Sequence, residues 1–133
     1  MKPITQTKFG VDEGNCFSAC LASILEIPLE LVPNFCVEYP SDWLNKTNEW
    51  LDRFGLMIMG VEINCMPNWD AYWIASGQSP RLDCHHSVVY RADRMVHDPH
   101  PSGDGLKGKP TYGTLILLRD PAHWMRLRKS DSE

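Results

Sequence analysis

Two hydrophobic periods run through this chain in a set order, helical first and strand-like second, and that order constrains the fold more than any other feature. Residues 16–25, CFSACLASIL, place Cys16, Cys20 and Ile24 on one helical face and Phe17, Leu21 and Leu25 on the adjacent one. Gly14 and Asn15 punctuate the chain just ahead, and Asn15 is a suitable N-cap because its side chain can accept from the free amides of a first turn. Pro28 and Pro33 end the segment and frame a short turn of helix. A second helix is predicted from about Asp42 to Phe54, capped by Ser41 and stopped by Gly55, with Trp43, Leu44, Trp50, Leu51 and Phe54 as its apolar stripe.

Beyond Gly55 the period changes to that of strands. Leu56 to Ile63 reads as one, and Trp73 to Ser76 as a short one before the turn at Gly77 to Pro80. Ser87 to Arg91 and Arg94 to His97 read as a hairpin about Ala92-Asp93, and Thr114 to Arg119 as a last strand. Residues 99–111 form a long Pro- and Gly-containing loop, and residues 1–13 are polar and extended or looped. Helices followed by an antiparallel sheet make an α+β domain, and 133 residues suit a single domain, 1–133.

Composition narrows the function. Hydrophobic residues at 43% against 23% charged describe a globular chain rather than a disordered one. The net charge of −4 argues against a nucleic-acid partner, because such binding neutralises phosphates with Lys and Arg. The basic cluster Arg126, Arg128 and Lys129 is expected to be a solvated tail. No apolar run approaches the roughly 20 residues that span a bilayer, and Met1 to Gly10 lacks the apolar stretch of a secretory signal. A cytoplasmic location without membrane association is therefore expected, and the oligomeric state stays open.

The cysteines Cys16, Cys20, Cys36, Cys65 and Cys84 are odd in number and irregularly spaced, which suits free thiols rather than a disulfide framework. Cys20, Cys36 and Cys65 are expected to be buried small hydrophobes. Cys16 differs, because at the start of a helix the unpaired amides and the helix dipole favour the thiolate, the nucleophilic form. A base for it comes from the hairpin. If opposed residues sum to 184 or 185, His86 faces Asp98, with Cβ atoms roughly 4.5–5.5 Å apart. In that register His86, Val88 and Tyr90 share a face with Val96 and Asp98, while His85, Ser87 and His97 take the other. Asp98 would then orient the imidazole and stabilise its protonated form.

Other constellations carry less chemistry. Cys84, His85 and His86, with Cys65 or Asp98, cannot all converge on zinc, since neighbours on a strand point to opposite faces, and no metal or cofactor is expected. The five tryptophans read first as core, with Trp69, Trp73 and Tyr72 as candidates to line a groove. Residues 98–103, DPHPSG, shape the rim of the site or serve only as a connection.

Gly14-Asn15-Cys16-Phe17 resembles the Gly-x-Cys-aromatic core of papain-like cysteine peptidases, in which the cysteine opens the central helix. The segments HSVVY at 86–90 and VHDP at 96–99 resemble the His-x-Val-Val and Asp-Pro elements of the branch that processes bacteriocin leader peptides. The resemblance spans most of the domain in order. It implies a papain-like fold and a peptidase or amide hydrolase using Cys16, His86 and Asp98, acting on a peptide or protein substrate. It also implies an upstream glutamine, here Gln6, whose amide joins the Cys16 N–H as an oxyanion donor; Asn15 is the other amide nearby. Loss of one such donor costs about 100- to 1000-fold in rate. The alternative is a catalytically weak binding module on the same fold, an inhibitor or adaptor of the kind carried by a phage or mobile element.

Overall fold

The computed structural model describes residues 1–132. Helix α1 (Cys16–Leu25) is followed by a 3-10 turn at Leu29–Leu31, helix α2 (Phe35–Glu38), helix α3 (Trp43–Leu51) and a second 3-10 turn at Asp52–Phe54. Then come β1 (Leu56–Glu62), β2 (Tyr72–Gln78), β3 (His85–Arg91), β4 (Arg94–His97), β5 (Tyr112–Leu118) and helix α4 (Pro121–Ser132). The five strands form one antiparallel sheet in the order β1-β5-β2-β3-β4. Helices first and an antiparallel sheet after make this an α+β fold, as the periodicity predicts.

Helix α1 packs on β2 and β3, and α3 packs on β1. Alternation along the strands divides the apolar side chains between two faces. Val89, Ile74 and Ile58 join Phe17, Leu21, Phe35, Trp50 and Leu51 beneath the helices. Val88, Ala75, Leu115 and Trp73 turn to the opposite face, where Ile63, Met66, Trp69, Tyr90 and Leu106 cover them. Trp50 and Trp73 are thus core, as expected of most tryptophans.

Helix ends follow local chemistry. Glu26 adopts a left-handed φ of 57° and donates to the Ala22 carbonyl, which closes α1 two residues before Pro28. Gly55, with φ 70°, closes the turn after α3, where a left-handed residue is needed and a side chain would press on the Trp124 indole. The predicted second helix is a little shorter than expected. It begins at Trp43 after Asp42 rather than Ser41, and its last three residues tighten into the 3-10 turn.

Several boundaries differ from the sequence reading. Strands β2 and β5 extend to Tyr72–Gln78 and Tyr112–Leu118 because each is flanked by partners that continue the ladder through Gly77, Gly113 and Tyr112. Ile63 leaves β1 for a 3-10 turn. The basic cluster lies in α4 rather than in a tail; this exposed helix is tethered by Trp124 Nε1, which donates to the Gly55 carbonyl at 3.3 Å. No single helix among the described residues is long and apolar enough to cross a membrane.

Residues 1–8 run as a strap between α1 and the sheet edge. Lys2 N–H donates to the Ser23 carbonyl at 2.9 Å and Ile4 N–H to Ser23 Oγ at 3.0 Å. Across the gap, His97 Nε2 meets the Ile4 carbonyl at 2.8 Å and Gln6 N–H donates to the Pro99 carbonyl at 2.9 Å. Leu21 anchors the opposite side of α1 with no exposed surface. Leu21→Ala should lower stability by about 2–5 kcal/mol, the cost of lost burial plus the cavity left behind, read as a reduced urea midpoint at unchanged slope.

Candidate active site

The site forms where β4 parts from β3. Arg91 pairs with Arg94 and Tyr90 with Met95, but Val89 pairs with His97, so Val96 is a bulged residue without a partner. This corrects the expected register: past the bulge opposed residues sum to 186, the ladder ends at His97, and Tyr90 shares its face with Met95 instead of Val96. Asp98 is therefore not a ladder partner of His86. Its side chain nevertheless reaches the imidazole, with Oδ1 2.7 Å from His86 Nε2, and the two side chains are 1% and 5% exposed.

The carboxylate is held by backbone as well. Asp98 Oδ1 accepts from His100 N–H at 2.9 Å, and Oδ2 accepts from Gly105 N–H at 2.8 Å. Both donors come from the loop after Pro99, so that loop orients the array rather than merely connecting strands. Burial alone would raise the Asp98 carboxyl, but His86 and these two N–H groups outweigh it and hold it below its ordinary value. With Nε2 directed at a carboxylate, Nε2 carries a proton and Nδ1 is the nitrogen left for Cys16.

Cys16 opens α1, and no side chain caps that helix. Asn15 occupies the N-cap position, as predicted, but its Oδ1 accepts from Thr7 and Lys8 N–H at 3.1 and 3.0 Å and its Nδ2 donates to Thr7 Oγ1 at 3.0 Å. Asn15 thus pins the strap instead of capping, and leaves the first-turn amides for other acceptors. Burial by itself would raise the Cys16 thiol. The hydrogen bond and charge of His86, then the N–H groups of Ser87 and Phe17, offset it and hold the thiol below 9.0. Burial likewise draws the His86 imidazole down, but Asp98 and the Cys16 thiolate raise it to about 9. Each partner favours the charged form of the other.

Cys20, Cys36 and Cys84 move the opposite way. Cys20 is buried and pushed well up by desolvation. Cys36 and Cys65 are exposed, against expectation, because α2 is a single short turn and Cys65 ends a surface 3-10 turn. Burial of its thiol, then the Cys16 charge, still pushes Cys36 up to about 11, and burial ahead of the same charge raises Cys84.

A cavity of about 800 Å³ opens beside Cys16. Phe17, Val37, Trp43 and Ile63 supply apolar wall, and Ser76, Ser87, Thr114 and Tyr112 line its sheet side. Trp69 and Trp73 instead line a separate hollow with Tyr90, so the aromatic beside Cys16 is Trp43, stacked edge-on against Phe17 at 5.2 Å. Helical spacing placed Trp43 on a stripe but carried no sign of which stripe faces the cysteine. Gln6 is buried; its Nε2 donates to the Lys8 carbonyl at 2.9 Å and its Oε1 has no partner. Its backbone bond to Pro99 ties it to the residue after Asp98. Among the described residues no three His, Cys, Asp or Glu side chains converge as a metal site.

No known protein family, no curated protein and no solved structure matches this chain.

The array predicts selective alkylation. Iodoacetamide near pH 7 should modify Cys16 before the other cysteines, and His86→Ala should abolish that preference because the largest influence opposing desolvation of the thiol is then gone and only the Ser87 and Phe17 N–H groups remain; mass spectrometry of each cysteine peptide across pH reads both. The imidazole should titrate near 9 by NMR in the wild type and well below it in Asp98→Asn, which removes its leading stabiliser.

Proposed function

We propose that this chain is a papain-like cysteine hydrolase that cleaves a peptide, isopeptide or related amide bond through Cys16, His86 and Asp98. One observation carries the reading: a thiol at an uncapped helix start, depressed by an imidazole that a buried carboxylate holds at 2.7 Å. A polarised thiolate, a proton donor and an orienting group are the parts that acyl transfer to a cysteine requires. The family resemblance of the Cys16 and His86 segments points the same way.

The chemistry runs as follows. The Cys16 thiolate attacks the carbonyl carbon, forming a C–S bond, and the oxyanion collapses with loss of the amine, which takes the Nδ1 proton of His86. The neutral imidazole then accepts a proton from water as the hydroxide attacks the thioester, releasing the acid and the thiolate. An amine in place of water would make the same step a transfer. The Cys16 N–H, free at the helix start, and Gln6 are the proposed oxyanion donors. For Gln6 this requires its amide to exchange the Lys8 carbonyl for substrate.

That engaged amide also favours a second reading, a binding module on the same fold without turnover. Thiol reactivity separates the two, because a module has no need of a depressed Cys16.

Attack needs Cys16 deprotonated, and departure of the amine needs His86 protonated. Activity on a panel of peptide and isopeptide amides should rise as pH climbs through the lowered Cys16 value and fall as it passes about 9, where His86 loses its proton. Cys16→Ala should abolish turnover, and Gln6→Ala should lower kcat by about 100-fold. Hydrolysis that survives Cys16→Ala at the wild-type rate would overturn the proposal.

A further inference from the structure

The cavity beside Cys16 has a floor with a definite direction. Ser87 on β3 pairs with Ser76 on β2, Ser76 with Tyr112 on β5, and Tyr112 with Glu62 on β1. All four residues of this cross-strand row line the cavity. The two serines bond to each other through their hydroxyls at 2.8 Å, leaving a smooth neutral step next to the cysteine. At the far end stands Glu62, the one acidic residue of the lining, which contains no Lys or Arg. Glu62 is exposed, and its carboxylate has no ion-pair or hydrogen-bond partner among the described residues.

The row also has a polarity set by the chemistry. A leaving amine must lie at His86, which donates its proton. His85 and Ser87 line the cavity on either side of His86 in the chain, and from Ser87 the floor row runs through β2 and β5 to β1, away from β4 and the Asp98 that holds the imidazole. The cavity therefore receives the acyl side of the scissile bond. From Ser87 to Glu62 the row crosses three strand spacings, about 14 Å. Two extended residues cover about half of that span. A lysine or arginine on the second of them covers most of the rest, with its methylene stem against apolar wall and its cation at the carboxylate.

Resting on the proposed hydrolase activity, we infer that the substrate carries a basic side chain two residues to the acyl side of the cleaved carbonyl, recognised by Glu62 across the floor of this cavity. The alkyl stem lies beside Phe17, Trp43 and Ile63. An acidic side chain at that position meets the Glu62 charge and is disfavoured.

The test uses acetyl-X-Ala chloromethyl ketones, whose carbonyl carbon chain places X at the inferred position, with X as lysine, norleucine or glutamate. In each the Cys16 thiolate displaces chloride and forms a thioether. Second-order rates at Cys16, divided by the iodoacetamide rate of the same protein, should fall in the order lysine, norleucine, glutamate, with about two- to fivefold between lysine and norleucine, the range of an exposed ion pair. Glu62→Gln should erase the step between lysine and norleucine, and Glu62→Lys should place glutamate ahead of lysine. If iodoacetamide selects Cys16 but the three probes react alike, or Glu62→Gln keeps the lysine preference, the inference falls and the hydrolase reading stands. If iodoacetamide itself shows no preference for Cys16, the hydrolase reading falls first and takes the inference with it.

Discussion

Phe17 through Ser23 are buried without a break beneath the sheet, and Ala19, Cys20, Leu21 and Ala22 have no exposed surface at all. That burial sets the axis of α1 against β2 and β3, and everything at the helix start follows from it. Small residues on this face let the helix lie close to the strands, and the strap of residues 1–8 closes over its outer side through Ser23. Only with α1 so placed does Cys16 emerge beside Ser87 and His86. A helix shifted by a turn would carry the thiol roughly 5 Å along its axis and out of reach of the imidazole.

The second constraint is the satisfaction of a buried carboxylate. Asp98 loses nearly all contact with water, a cost that must be returned by hydrogen bonds to its charged form. His86 and the N–H groups of His100 and Gly105 return it. Folding the loop after Pro99 and orienting the imidazole are thus one event. The strap joins the same corner, since Gln6 and Ile4 bond to Pro99 and His97. Helix, hairpin and N-terminal segment therefore meet around the proposed catalytic groups, and the separation of charge between Cys16 and His86 is supported from three directions.

Much of this was legible from residue order. The helical repeat of 16–25, the proline stops and the alternating strands announced an α+β domain, because hydrophobic period reflects which face must leave water. The hairpin of 87–97 announced that His86 and Asp98 would be near one another. The details of their approach were not legible. A bulge at Val96 shifts the register by one, and whether a strand bulges depends on the strain and packing of both partners, which the local sequence does not record. Asn15 shows the same limit. Its chemistry suits a cap, but a strap arriving from Thr7 and Lys8 outcompetes its own helix for the side-chain oxygen.

By itself the sequence determined the elements, their order and the identity of a helix-opening cysteine followed by a histidine–aspartate hairpin, since these depend on local period, turn chemistry and residue type. Only the tertiary structure decided which thiols are reachable, that Trp43 rather than Trp69 or Trp73 stands beside Cys16, and that Glu62, Tyr112, Ser76 and Ser87 align as one floor. Those depend on the strand order β1-β5-β2-β3-β4, in which β5, last in the chain, inserts between β1 and β2. Such a pairing is set by how the apolar faces share one core, and no local stretch of sequence contains it.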